Sequence, residues 1–223
     1  MAKPQNLNQK KVPWPTEDAM QQVYAMKLWG GATHDFFSGN GSHESKLVEP
    51  YVEVVRLFLS SFEFPPVVCD LGCGDFNVGQ HLVQHTQNYI AADIVKPLID
   101  RNTTKFQAHN LKFLHLDISK DPLPKGDVAL LRQVLQHLSN SEVQQILEQL
   151  KTYKYVILTE HLPEGDFQPN IDIISGQGTR LKKGSGIQVL DAPFYWPVKQ
   201  AETLLSLKPK AHPGIIETIL YTL

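Results

Sequence analysis

The sequence predicts an α/β fold: a doubly wound, mostly parallel seven-stranded sheet carrying an N-terminal helical cap. Three observations predict it. From Pro65 onward, short and nearly continuous apolar runs alternate with segments of helical period, the pattern of a parallel sheet covered on both faces. A glycine-rich turn, Gly72-Cys73-Gly74, directly follows the first of those runs, and acidic residues stand at the ends of the next two. At 223 residues, 42% hydrophobic and 20% charged, the chain is long enough for one such domain with a short appendage.

The cap is assigned to residues 1–62 and the sheet domain to 63–223. Residues 1–14 read as a polar, proline-bearing tail without fixed structure. A first helix is expected from Thr16, as N-cap, to about Trp29, with Met20, Val23, Tyr24 and Leu28 on one stripe. A glycine-rich loop, 30–43, leads to a second helix ending near Ser60, where Tyr51, Val55, Phe58 and Leu59 share a face. Pro50 belongs near its first turn or after a break, since a proline in mid-helix costs about 3 kcal/mol.

Five strands are expected at Val67–Leu71, Tyr89–Val95, Leu111–Ile118, Val128–Arg132 and Tyr155–Glu160. Before the fifth, Val143, Ile146, Leu147 and Leu150 recur at helical spacing, and Ser139 with Glu142 forms a capping box at that helix's start. Residues 161–197 break the rhythm. A structureless stretch of this length in a compact domain reads as a binding loop that shapes specificity. Within it, Phe194, Tyr195 and Trp196 read as a pin to the core; Arg180 belongs to the short basic run Arg180-Leu181-Lys182-Lys183, which reads as a solvated loop, and is otherwise a candidate partner for a substrate carboxylate or phosphate. A short helix, Val198–Leu204, and two strands, Leu205–Lys210 and Ile215–Leu223, complete the count.

Charge and composition exclude several classes. A formal net charge of −2 argues against a nucleic-acid partner, which long-range electrostatics would hold through a basic surface. No apolar run approaches the ~18–20 residues that span a bilayer, and Met1–Asn6 has no apolar signal core, so no membrane partner and a cytoplasmic location are expected. Cys69 and Cys73 are spaced for neither a disulfide nor a zinc site and read as reduced thiols. No histidine pair has metal-ligand spacing, so no metal is expected. The oligomeric state is not legible.

In a doubly wound sheet, ligands bind beyond the carboxyl ends of the strands where strand order reverses. Gly72 and Gly74 let the backbone turn tightly beside a ligand, and a helix starting near Asn77 would aim free N–H groups at it. Asp93, 19 residues past Gly74, stands where a carboxylate accepts from both hydroxyls of a ribose. Asp117, with Ile118, suits an adenine amino group beside an apolar wall. Asp70 can accept from amides of the glycine turn or, through water, contact an ammonium. A nicotinamide dinucleotide fits part of this pattern, but it wants a small residue where Asn77 stands and leaves Asp70 unexplained. The ligand with both a ribose and an ammonium is S-adenosylmethionine.

Val67-Val68-Cys69-Asp70-Leu71-Gly72-Cys73-Gly74-Asp75 closely resembles the first motif of the class I S-adenosylmethionine-dependent methyltransferases. Ile90-Ala91-Ala92-Asp93-Ile94 looks like their second motif, Leu116-Asp117-Ile118 like their third, and Leu130 to Leu138 is similar to the segment after the fourth strand in many small-molecule members. The resemblance implies a Rossmann-like methyltransferase fold with an antiparallel last strand. It also implies a cofactor-binding set of Asp70, Gly72, Cys73, Gly74, Asp93, Ile94, Asp117, Ile118, Arg132 and Gln133. By position, Gly72 and Gly74 pass along the methionine part, Asp93 holds the ribose, Asp117 and Ile118 the adenine, and the backbone around Arg132 and Gln133 lies near the sulfonium. Phe37–Ser42 lies outside the general motif and has two readings: by analogy with some members, a cap over the methionine end, or an ordinary flexible loop.

Methyl transfer from a sulfonium is an in-line displacement from an activated donor. Positioning supplies most of the catalysis, on the order of 7–11 kcal/mol, and a general base adds roughly 10²–10⁴-fold where the acceptor must lose a proton. His137 and His161, just past the fourth and fifth strands, are the candidate bases, and Trp29, His34, Phe37, His43 and Arg180 the substrate-side candidates. The expected acceptor is an oxygen or nitrogen of a small metabolite or short peptide. Two other readings stand beside this one: a cofactor-binding but non-catalytic partner subunit, and a nicotinamide-dependent oxidoreductase, against which Asn77 and the lack of a hydride-transfer set both argue.

Overall fold

The computed structural model of the protein describes residues 13–210 and 213–223, so the expectation for the N-terminal tail lies almost wholly outside the described residues. The elements are α1 (Thr16–Ala25), α2 (Ser45–Ser60), β1 (Val67–Leu71), β2 (Asn88–Asp93), α3 (Lys96–Lys105), β3 (Leu111–His115), β4 (Val128–Arg132), α4 (Asn140–Leu150), β5 (Tyr155–Leu162), β6 (Gln200–Leu207) and β7 (Ile215–Thr222). They form one seven-stranded sheet in the order β3-β2-β1-β4-β5-β7-β6, and β7 runs antiparallel to both of its neighbours.

Alternation along the central strands loads both faces of the sheet. Cys69 and Leu71 of β1 and Ala129 and Leu131 of β4 face α4, where Val143, Ile146, Leu147 and Leu150 bury the stripe read from the sequence. Val68, Val128 and Leu130 face the other way, against Tyr51, Val55 and Leu59 of α2. Ser139 caps α4 with the reciprocal Glu142 box, a device worth about 1 kcal/mol. Phe194 and Trp196 are buried in the α4-side core, with the indole N–H donating to Leu147 O at 2.9 Å, whereas Tyr195 is exposed.

Several elements differ from expectation, each for a local reason. Pro15 rather than Thr16 occupies the N-cap of α1, and the Thr16 hydroxyl donates instead to Glu142 of α4. The helix stops at Ala25 because Lys27 turns the chain at φ 51°, which leaves Trp29 in the following loop. Pro50 sits in the second turn of an unbroken α2, where Tyr51, Val55 and Leu59 bury one helix face and offset the lost backbone bond. No α-helix starts near Asn77. Phe76 takes φ 64° and is fully buried among Tyr89, Phe106 and Phe113, and two 3₁₀ turns, Gly79–His81 and Val83–His85, follow it. The expected helix at Val198–Leu204 is also absent: β6 begins at Gln200 as an edge strand on β7, with a bulge between Thr203 and Leu205. No described helix is long and apolar enough to cross a membrane.

Candidate active site

A cavity of about 820 Å³ lies at the carboxyl ends of the strands on both sides of the β1/β4 switch point, with Asp70 (β1), Asp93 (β2), Arg132 (β4) and His161 (β5) on its wall. Thr16, Met20 and Tyr24 of α1 and Ser38, Gly39, Gly41 and Ser42 of the following loop cover it. All ten residues of the cofactor set named from the sequence, from Asp70 to Gln133, line this one space.

The glycine turn is fixed by its neighbours. The Gly72 and Cys73 amides both donate to Ala92 O of β2, at 2.8 and 2.9 Å, and Gly74 N–H donates to Asp93 Oδ2 at 3.0 Å. Gly72 has φ 89°, and a Cβ there would meet Val134 Cγ2 at 2.5 Å, so only glycine fits beneath the segment after β4. The second oxygen of Asp93 accepts from Val95 N–H at 3.0 Å. Burial raises the Asp93 pKa, opposed by these two amides. A carboxylate offers about four lone-pair sites; two are filled by backbone, and the rest remain for hydroxyls within the cavity.

Asp70 makes no bond to the glycine turn, whose amides go to Ala92 and Asp93. Its Oδ2 accepts from the Tyr89 hydroxyl at 2.9 Å, and burial pushes its pKa up to about 7. Asp117 lies two residues beyond the end of β3. Its carboxylate accepts from the Ser119 amide and hydroxyl, at 3.0 and 2.6 Å, and from Lys120 Nζ at 2.6 Å. Against the effect of burial, the Lys120 and Ser119 bonds hold it below the usual carboxylate range. Ile118, beside it, is buried on the cavity wall.

At the other end stand Trp29, Gln133, Gln136, His137 and His161. Gln133 takes φ 57°, a left-handed backbone rare for a side-chain-bearing residue and of the kind that costs about 1–3 kcal/mol and gathers at functional sites. His137 packs against Trp29 with ring centroids 5.1 Å apart. Its Nδ1 faces Gly178 O at 3.2 Å and its Nε2 faces the Gln136 amide nitrogen at 3.3 Å. A carbonyl only accepts, so the proton belongs on Nδ1 and Nε2 accepts. Burial lowers the His137 pKa to about 4, so the ring is neutral near pH 7. Gln136 Oε1 in turn accepts from His161 N–H at 3.2 Å, which fixes the amide between the two histidines.

The loop from α1 to α2 docks on the glycine turn through a reciprocal pair. Asp75 N–H donates to Ser38 Oγ at 2.8 Å while Ser38 N–H donates to Asp75 Oδ2 at 2.9 Å, and Tyr24 Oη lies 2.9 Å from the same Ser38 hydroxyl. His43 Nε2 contacts Asp75 Oδ2 at 2.6 Å, and Phe37 stacks on His43 with centroids 4.3 Å apart. Of the substrate-side set, Trp29 alone lines the cavity; His34, Phe37 and His43 group together on the loop away from it. Arg180 is away from it too. It is fully buried, donating to Leu135 O, Leu138 O and Asn140 Oδ1 at 2.9, 2.7 and 2.6 Å. Glu160 grips the same turn from the other side, accepting Leu135 and Gln136 N–H at 2.9 and 3.0 Å. Asp75, Tyr89 and Gln136 carry no local signal for these roles, since Ser38, Asp70 and the His161 amide are distant in the chain; Ser38 lies in the Phe37–Ser42 segment read as a cap, but its pairing with Asp75 is not legible in that segment.

Residues 68–153 match the family model described as a methyltransferase domain. The matched residues cover less than half of the chain and run from β1 to just past α4. Solved methyltransferases share its fold. The N-methyltransferase NodS from Bradyrhizobium japonicum, in complex with S-adenosyl-L-homocysteine, is 13% identical with a TM-score of 0.66, over 90% of this chain and 98% of that one. Magnesium protoporphyrin IX methyltransferase from Synechocystis PCC 6803, with bound S-adenosylmethionine, is 14% identical with a TM-score of 0.59, over 95% and 99%. Human N-acetylserotonin methyltransferase is 19% identical with a TM-score of 0.55 over 80% of this chain, which spans about half, 52%, of that enzyme. A comparison with curated proteins finds no significant match. The cavity fits S-adenosylmethionine chemically: Asp93 keeps acceptor sites for a ribose, and Ile118 supplies an apolar wall.

Proposed function

We propose that this methyltransferase acts on an oxygen or nitrogen of a small metabolite or short peptide. One observation carries the reading: a single space of about 820 Å³ holds both the cofactor residues and the Trp29, His137 and His161 end, beneath α1 and its loop. That volume lies within the ~300–1,000 Å³ of small-molecule sites, and a net charge of −2 offers little hold on a polyanion. S-adenosylmethionine supplies an electrophilic methyl on a sulfonium. The chain does the positioning: Asp93 accepts from the ribose, Asp117 and Ile118 border the adenine, and Gly72, Cys73 and Gly74 run along the methionine part. An acceptor enters between Trp29, Gln133 and the two histidines. A neutral His137, with a pKa of about 4 and its Nε2 already accepting from Gln136, serves as a fixed wall beside Trp29 rather than as a base, and His161 is the candidate for proton removal.

The test is to incubate the protein with methyl-labelled S-adenosylmethionine and, separately, a low-molecular-mass cell extract, total RNA and total protein. Label in the low-mass fraction is the expected result. Label confined to RNA or to intact proteins would overturn the acceptor class.

A further inference from the structure

The chain that follows β5 builds one wall of the cavity beside His137 and Trp29, and it is fastened there at several points. His137 Nδ1 lies 3.2 Å from Gly178 O, and Gly176 N–H donates to His137 O at 3.0 Å. Gln177 Nε2 donates to Leu28 O at 3.0 Å, next to Trp29. A short 3₁₀ turn, Arg180–Lys183, comes next. Its first residue anchors it from behind: Arg180 is fully buried, and three hydrogen bonds tie it to Leu135 O, Leu138 O and Asn140 Oδ1. Its last, Lys183, donates to Asp172 O at 2.7 Å. The two residues between them, Leu181 and Lys182, line the cavity.

Lys182 brings a positive charge to this wall, and among the described residues its ammonium joins no ion pair. The carboxylates on the cavity wall that could have neutralised it are engaged elsewhere. Glu164 pairs with Lys208, Asp117 pairs with Lys120, and Glu142 accepts from the hydroxyls of Thr16, Ser139 and Ser175. Arg132, also on the cavity wall, lies over the Tyr51 ring at 4.9 Å and donates to Gly41 O at 2.6 Å. The role expected of Arg180, which the structure commits to backbone carbonyls, thus falls two residues later. We infer that Lys182 selects the methyl acceptor, which carries a carboxylate or phosphate group apart from the atom that is methylated. The inference rests on the acceptor's entering this cavity, as proposed above. Lys182 is exposed, so the anionic group lies toward solvent while the nucleophile points inward to Gln133 and the histidines. Leu181, Pro163 and Trp29 line the same cavity and offer an apolar surface to the body of such a molecule. A lysine is a compact charge on a flexible stem, suited to either anion without the planar fork of an arginine. Charge at a rim contributes selectivity and encounter rate more than raw affinity.

The test divides a low-molecular-mass cell extract on a strong anion-exchange resin into retained and unretained pools, and incubates each with the protein and methyl-labelled S-adenosylmethionine. Wild-type protein should label the retained pool. K182E should need at least about fivefold more of that pool for half-maximal labelling, with the saturated rate little changed, and K182R should match wild type. Added salt should weaken labelling by wild type and leave K182Q nearly unaffected. Calorimetry with S-adenosylhomocysteine should return the same affinity for every variant, which reports that each is folded. Phosphatase treatment of the retained pool separates the two anions: lost labelling assigns a phosphate, and surviving labelling a carboxylate. Label confined to the unretained pool, or K182E equal to wild type on the retained pool, would overturn the role of Lys182 while leaving the small-acceptor reading in place. Label in neither pool would overturn that reading and the role of Lys182 with it.

Discussion

Gly74 and Asp93 are joined by a 3.0 Å bond from the Gly74 amide to Asp93 Oδ2, which ties the turn after β1 to the tip of β2. The bond orients the carboxylate so that its remaining lone pairs serve the cavity. Asp93→Ala should therefore weaken S-adenosylmethionine binding more than about tenfold, through loss of a charged acceptor for the ribose. Calorimetry checks this, and unchanged affinity would contradict the ribose placement.

Asp70 predicts a pH dependence of opposite sign for stability and for binding. With a pKa of about 7 in the folded protein against an ordinary 3.8, the folded ligand-free state holds a proton that the unfolded state has released. Its contribution to stability is therefore greatest below the unfolded value and is lost as pH rises toward 7. Binding of an ammonium needs the ionised form, so affinity for S-adenosylhomocysteine should fall as pH drops through about 7. Tyr89, Arg132 and Asp93 face Asp70 and persist in D70N, which should flatten the profile. A profile identical in the two proteins would assign the titration elsewhere.

The Ser38–Asp75 latch holds the covering loop on the glycine turn. Ser38→Ala removes partners of the Asp75 amide and the Tyr24 hydroxyl. At about 0.5–1.5 kcal/mol per neutral bond, cofactor should dissociate several-fold faster in stopped-flow experiments. An unchanged rate would mean that the loop does not gate release.

Arg180→Ala should cost about 3–5 kcal/mol in urea denaturation, as for breaking a buried charged contact, because the Leu135 and Leu138 carbonyls lose their donor and Glu160 its nearby cation. A variant of wild-type stability that instead bound acceptor poorly would return Arg180 to the substrate.

The central sheet was legible because its signals are local. β1 and β4 begin and end where apolar runs do, and the Ser139–Glu142 box marks the start of α4 within four residues of sequence. The tip residues followed, since parallel topology alone sends Gly72, Asp93 and Asp117 to one edge. What failed depended on distant partners. Arg180 sits in the run Arg180-Leu181-Lys182-Lys183, which reads as solvated; its burial is set by carbonyls more than forty residues earlier. The Gln200–Leu207 strand has no clean alternation because it is an edge, half exposed, and its period is indistinct from a short helix. The missing helix after the glycine turn reflects Phe76, whose burial among three aromatic rings bends the chain away from a helical path.

A crystal structure of the complex with S-adenosylhomocysteine tests the central claim most directly. The account predicts both ribose hydroxyls within hydrogen-bond distance of the Asp93 carboxylate, with the adenine beside Ile118 and the glycine turn along the homocysteine. A ligand seated with its ribose away from Asp93, or outside the cavity shared by Gly72, Asp93 and Asp117, would contradict it.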